Sequence, residues 1–218
     1  MEKELGIFTI RRLFIEDMPV VKKYAGAYSR LFTSPLEEDN ISNIFLQGAF
    51  WAVFDGEKAV AATYILPADS PCFVNTGARW NISELLGIPP DDCLICGYLW
   101  TDKDCAGVNF YNPLCRLWQT QADRRKKAVL VHFTPAHMET EFEKLFYNGF
   151  ELAGLRGLDN LVPHYIFTKP AGFYSRKTQA CEDVKACPRA DTKTLSRLCE
   201  KGYRGFDMDV EKNILLRR

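Results

Sequence analysis

The sequence has no apolar run near the ~20 residues that a membrane-spanning helix needs. Its first residues, Met1-Glu2-Lys3-Glu4-Leu5, lack both the basic and the apolar stretch of a secretory leader. A soluble, cytoplasmic protein that does not engage the membrane is therefore expected. It also lacks a net charge, with 28 Lys and Arg balancing 28 Asp and Glu. General nucleic-acid binding calls for a strongly basic face and is not expected here. The one dense basic run, Arg124-Arg125-Lys126-Lys127, follows a helical pattern and reads as a complement to that helix's C-terminal dipole. No internal repeat and no low-complexity segment interrupts the chain.

A second Cys-x-x-Cys is missing as well. Of the 8 cysteines, only Cys93 and Cys96 have that spacing, and the nearest later pair is Cys181 and Cys187. A structural zinc site draws on four ligands, usually two such pairs. Moreover, Cys93-Leu94-Ile95-Cys96-Gly97-Tyr98-Leu99-Trp100 is an apolar run that reads as a buried strand, in which cysteine acts as a small hydrophobe. No metal is expected, and a metal-dependent module built on these four cysteines is the weakest of three readings.

Hydrophobic residues make up 47% and charged residues 26% of the 218 residues, enough to build a core without staples. The periodicity predicts a strand at 8–13 and a helix from Ile15 to Tyr28. A second helix opens at Ser34-Pro35 and ends near Gly48. Strands follow at 50–54 and 58–66, joined through Asp55-Gly56, a pair that readily accepts positive φ. A short helix is expected at 82–86 after Asn81, a residue able to cap it. Next come a central strand at 93–101, a polar loop at 102–109 and a helix at 110–124, on which Leu114, Leu117 and Trp118 share a face. A strand at 128–133, a helix at 139–147 broken by Asn148-Gly149, and strands at 150–155 and 164–169 complete the series. The order implies a mixed α/β (α+β) domain with a central mixed sheet flanked by helices. Residues 1–169 form this domain. Residues 170–218, more polar and carrying one modest helix at 192–200, form a C-terminal extension packed on the core or on a partner, a second copy of the chain being one such partner.

The segment with chemical content is Leu99-Trp100-Thr101-Asp102-Lys103-Asp104-Cys105-Ala106-Gly107-Val108-Asn109-Phe110, which leaves a buried strand and enters an amphipathic helix. Helix starts present unpaired N–H groups and partial positive charge, and small residues let an anion approach the backbone. Those features alone also describe an ordinary strand-to-helix turn. Asp104-Cys105-Ala106-Gly107-Val108-Asn109, however, resembles the acetyl-CoA-binding signature (Gln/Arg)-x-x-Gly-x-(Gly/Ala) of the GNAT N-acetyltransferase superfamily, at the same place in the element order. Ile10-Arg11-Arg12-Leu13 with Glu16-Asp17, Val131-His132-Phe133-Thr134-Pro135, and Tyr147-Asn148-Gly149-Phe150-Glu151 extend the resemblance over about residues 7 to 169.

That resemblance implies a GNAT-like fold and acyl transfer from acetyl-CoA to an amine of unknown identity. Backbone groups of Leu99 and Thr101 would pair with the pantetheine arm. The stretch Asp104, Cys105, Ala106, Gly107, Val108, Asn109 and Phe110 would hold the pyrophosphate through N–H groups from Cys105 onward. Asp104 and Asn109 differ from the signature. The tyrosine that donates a proton to the departing thiolate in many members has Leu145, or Phe142, at its position; Tyr147 is the nearest hydroxyl and is taken as the candidate acid. Asp91, Asp92, Tyr98, His132 and His137 lie near enough to be considered as base. The alternative is a GNAT-fold protein without catalysis that serves as a binding or interaction module.

Overall fold

A computed structural model describes residues 8–23, 38–70, 81–105, 108–133, 141–158, 162–170 and 183–218. Ten strands form one sheet: β1 (Phe8–Leu13), β2 (Ala49–Asp55), β3 (Lys58–Pro67), β4 (Cys93–Thr101), β5 (Ala128–Phe133), β6 (Glu151–Leu158), β7 (Val162–Lys169), β8 (Val184–Pro188), β9 (Arg204–Met208) and β10 (Asn213–Arg217). Their order across the sheet is β1-β2-β3-β4-β5-β7-β6-β9-β10-β8. Helices are α1 (residues 18–23), α2 (Glu38–Gln47), α3 (Ile82–Leu86), α4 (Tyr111–Arg125), α5 (Glu141–Tyr147) and α6 (Thr192–Glu200). Among the described residues no helix is long and apolar enough to cross a membrane.

Only β4 and β5 run parallel, and α4 makes the crossover between them. The strands that build the centre are near-continuously apolar because both faces are covered. On one face Leu94, Cys96, Val129 and Val131 pack with Leu114, Trp118, Phe142 and Leu145 of α4 and α5. On the other, Ile95 and Leu130 pack with Ile41, Ile44, Ile82 and Leu85 of α2 and α3. The apolar face of α4 is Leu114, Trp118 and Ala122, each fully buried, while Leu117 is only partly covered.

Turn chemistry explains the boundaries. The β2–β3 connection is Gly56-Glu57, with Gly56 at φ 58° and Asp55 paired to Lys58. The turn thus begins one residue later than the sequence suggested, with glycine at its first central position instead of its second. Asn81 itself sits left-handed at φ 46° and spends its amide on Glu84, so it does not cap α3. The helix α5 stops in a Schellman arrangement: Gly149 N–H donates to Phe146 O at 2.8 Å and Phe150 N–H to Leu145 O at 3.0 Å. Gly149 holds φ 76°. Gly149→Ala is expected to cost about 1 kcal/mol in a urea titration, from the left-handed strain alone. A neutral result would mean that this turn opens freely.

Beyond β7 the chain adds three strands that the sequence pattern does not reveal. β9 joins β6 where Leu152 stands opposite Gly205, and a Cβ at Gly205 would meet Leu152 Cβ at 2.9 Å. Arg217 pairs with Glu151 at 2.8 Å, and Arg204 donates to Leu85 O at 3.0 Å. Leu195, Ile214 and Leu216 belong to the same core cluster as Trp118.

Candidate functional site

Sheet register isolates one opening. β4 and β5 pair from Cys93↔Ala128 to Cys96↔Val131 and no further. From Gly97 onward β4 stays with β3, while His132 and Phe133 stay with β7. The physical cause is visible in the β3–β4 register, which slips between Ala62 and Thr63: Thr63 stands opposite Tyr98 and Ala62 opposite Trp100. Leu99 is therefore the extra residue of a β-bulge, and a bulge bends and twists its strand. β4 parts from β5 after Cys96, just ahead of the bulge. Asp102 N–H donates to Val60 O on the β3 side at 2.7 Å. By strand alternation the peptide groups of Thr101 face the other edge, toward the opening.

After β4 the chain turns through a short helical turn, Lys103–Cys105. Asp104 is exposed and lies 3.4 Å from Lys58, which holds Asp102 at 2.6 Å. The Lys58 ammonium keeps the Asp102 carboxyl below the usual carboxylate range, with the Asp104 N–H helping. The carboxylate at 104 thus has a cation beside it. Several amides of the predicted phosphate loop are engaged within the turn. Cys105 N–H donates to Asp102 O at 2.9 Å, Val108 N–H to Cys105 O at 2.9 Å and Phe110 N–H to Val108 O at 3.1 Å. Asn109 Oδ1 accepts from Tyr111 N–H at 3.0 Å. Its side chain therefore holds the first amide of α4 from the residue before the N-cap, a role the sequence reading did not give it. Pro113 removes another N–H from the first turn of α4. Ala106 and Gly107 lie outside the described residues.

Phe142 and Leu145, the two residues at the position of the expected tyrosine, are fully buried in the core. Tyr147 is 81% exposed. It lines an open cleft of about 670 Å³ with Asn109 and Asn112 of the α4 start, Lys144 of α5, and Phe206 and Lys212 beyond β6. Lys144 lies over the Tyr111 ring at 5.0 Å, and Asn148 donates to Asn112 Oδ1 at 2.9 Å. Lys212 forms an ion pair with Glu143. The start of α4 and the end of α5 are thereby tied together.

On the opposite face, His132 is the first β5 residue past the last pair with β4. Its ring lies 5.6 Å from that of His164 on β7. Val131 and Tyr165 face α5, so alternation turns both histidines to the α2–α3 face. Burial, and then the neighbouring His164, push His132 down to about 3, and burial lowers His164. Both rings are neutral at neutral pH. The sequence offered His132 as one of several candidates, but only the pairing of β5 with β7 brings His164 to it. Asp91 and Asp92 form the turn before β4, at the paired end of the strand and away from the opening. His137 lies outside the described residues.

Cys93 and Cys96 belong to different core faces, as residues three apart in a strand must. They cannot bind one metal together, which removes the four-cysteine reading. Burial pushes the Cys93 thiol up to about 12 and raises Cys96 as well, as for inert core thiols.

No protein-family model matches the sequence, and no curated protein does. Solved structures match its fold. The ribosomal-protein-S18-alanine N-acetyltransferase from Escherichia coli superposes with TM-score 0.54 and 15% identity, over 77% of this chain and 98% of its own. The protein yncA from Salmonella typhimurium, solved with its cofactor acetyl-CoA, gives TM-score 0.55 and 9% identity over 78% and 97%. A GNAT-family acetyltransferase from Bacillus cereus gives TM-score 0.53 and 10% identity over 77% and 99%. The chain has the fold of the GNAT acetyltransferases, and about a quarter of it has no counterpart in these three.

Proposed function

We propose that this chain is an acyl-CoA-dependent N-acyltransferase that moves an acetyl group from acetyl-CoA to an amine. The parting of β4 from β5 just past Cys96 and Val131, directly ahead of α4, carries the reading. An extended pantetheine arm can add to the opened edge of β4 as a further strand does. Leu99 and Thr101 supply backbone groups there. The diphosphate then reaches the turn from Asp104 to Phe110, using amides of Ala106, Gly107 and Asn109 and the Asn112 N–H in the first turn of α4. The unit that performs this is residues 1–169, with 170–218 an addition that closes one side of the α5 cleft.

In the reaction the amine nitrogen attacks the thioester carbonyl. A C–N bond forms, the C–S bond breaks, and the amine proton must leave while the thiolate gains one. With Phe142 and Leu145 unable to donate, Tyr147 is the α5 hydroxyl left for the thiolate, reached by a thiol lying along the cleft. The acceptor approaches from the α2–α3 face, where His132 and His164 present neutral rings that do not repel an incoming amine, and the proton of the attacking nitrogen leaves to water.

Titration calorimetry with acetyl-CoA tests the reading, and no heat at millimolar ligand would remove it. A second reading, a binding module that has lost catalysis, is favoured by the engaged amides of Cys105, Val108 and Phe110. It predicts binding without turnover across a panel of amines. Asp104→Arg replaces an exposed carboxylate near the diphosphate with a cation. It should tighten acetyl-CoA binding about fivefold, from roughly 1 kcal/mol of screened attraction. Unchanged affinity would show that residue 104 does not face the diphosphate.

A further inference from the structure

The bulge that opens the sheet is held by two buried side chains that neither the loop signature nor the splayed edges account for. Thr63, fully buried on β3, donates its hydroxyl to Gly97 O at 2.6 Å. Trp118, fully buried on α4, donates its indole N–H to Thr63 Oγ1 at 2.8 Å. The hydroxyl thus accepts from one element and donates to another, which closes a three-group relay with each polar atom matched. The site of the relay is telling: the β3–β4 register slips at Thr63, and Gly97 is the first β4 residue without a β5 partner. Gly97 keeps its place opposite Tyr64 in the β3–β4 ladder, and its carbonyl also accepts the Thr63 hydroxyl right beside the slip.

We infer that Thr63 and Trp118 are positioning residues for the acyl donor, because together they fix the course of β4 through its bulge and couple it to α4. This rests on the acyltransferase reading above. The relay connects the two elements that a CoA molecule must engage at once: the opened edge of β4 and the first turn of the crossover helix. Trp118 lies seven residues, about two helical turns, into α4 from Tyr111. It packs edge-on to Tyr111 at 6.2 Å and to Phe150 at 6.4 Å. Its ring is locked by packing, so its N–H is a fixed reference from which the β4 peptide is placed. A valine at 63 keeps the volume and the β-branch but removes the hydroxyl. It leaves the indole N–H and the Gly97 carbonyl both buried without that partner, and β4 free to re-pair in a straight register.

The test compares Thr63→Val with Thr63→Ser, which keeps the hydroxyl, and with Trp118→Phe, which keeps the Thr63 bond to Gly97. Two quantities are read for each: acetyl-CoA affinity by calorimetry, and amide hydrogen exchange at Tyr98, Leu99 and Trp100 in the ligand-free protein. Thr63→Val should weaken acetyl-CoA binding at least tenfold and change exchange at these three amides. Thr63→Ser should stay within twofold of the parent in affinity, and Trp118→Phe should fall between. A Thr63→Val protein that loses thermal stability yet binds acetyl-CoA like the parent, with unchanged exchange at 98–100, would overturn the inference and leave a simple core pair. Should the parent bind no acetyl-CoA, the acyl-donor reading fails, and a donor-positioning role fails with it. The exchange comparison then shows separately whether the relay holds the bulge. If Thr63→Val does not fold, Thr63→Ser against Trp118→Phe decides alone, with equal affinities and equal exchange counting against the relay.

Discussion

Gly97→Ala is expected to destabilise the folded chain by about 3 kcal/mol, at the upper end of the usual cost of overpacking. A Cβ at this position would stand 2.5 Å from the Tyr64 hydroxyl and closer still to two of its ring carbons. Tyr64 is buried on β3, directly opposite Gly97 in the register, so the ring has little room to yield. Its backbone conformation does not require glycine; the demand comes from close approach alone. For a domain of this size the loss corresponds to a fall in Tm on the order of 10 °C. A Tyr64→Leu background should remove most of the effect, because the ring edge and hydroxyl are then absent. In a double-mutant cycle the glycine substitution would cost under about 1 kcal/mol there. An equal cost in both backgrounds would refute the contact. Gly97 also begins the run of β4 that has no β5 partner, so the partially rescued double variant is a useful protein for acetyl-CoA titration: it has a methyl at the mouth of the opening and a tolerable fold.

The central fold was legible because its signals are local and agree with one another. Apolar runs marked β4 and β5, Leu114 and Trp118 marked the inner face of α4, and Asn148-Gly149 marked the end of α5. The bulge at Leu99 was not legible. It is produced by a register slip against β3, which depends on residues 30 to 40 positions away, and nothing in Cys93–Thr101 alone distinguishes it from a regular strand. The relay of Thr63 and Trp118 and the meeting of His132 with His164 were hidden for the same reason, since each joins elements distant in sequence. The three strands of 184–217 were missed on different grounds. Val184-Lys185-Ala186-Cys187-Pro188 and Arg204-Gly205-Phe206-Asp207-Met208 show little alternation, since most of their side chains are exposed or only partly covered. Residues of the loop signature were found as a pattern, yet the pattern does not say which amides are already bonded. Asn109 illustrates this: a departure from the signature in sequence, it binds the Tyr111 amide at the start of α4 in the structure.

Acidification should unfold this protein through its histidines before its carboxylates contribute. His132 is held from an ordinary 6.5 down to about 3 in the folded state, first by burial and then by the nearby His164, itself lowered by burial. The unfolded chain takes up a proton on His132 near pH 6.5 and the folded chain refuses it until about pH 3. The stability linked to this group is therefore complete above pH 6.5 and is lost as the pH falls below it. Each unit of difference is about 1.4 kcal/mol, so the fall from pH 6.5 to 4.5 removes about 2 kcal/mol, and the whole shift sets a ceiling of about 5 kcal/mol. The carboxyls of Asp17 and Asp102 are lowered by cations and act in the same direction, but only below their ordinary 3.8. The interval from pH 6.5 to 4.5 thus isolates the imidazoles. Urea titrations across it should give a steadily falling midpoint for the parent, a flatter line for His132→Gln, and the flattest for His132→Gln with His164→Gln. Parallel lines for all three would show that neither ring resists protonation in the fold. The same neutrality bears on chemistry: with no charge on the rings at neutral pH, the face proposed for the acceptor does not repel an amine. The acid limb of any acyl transfer should then follow the acceptor's own ionisation until the fold itself gives way.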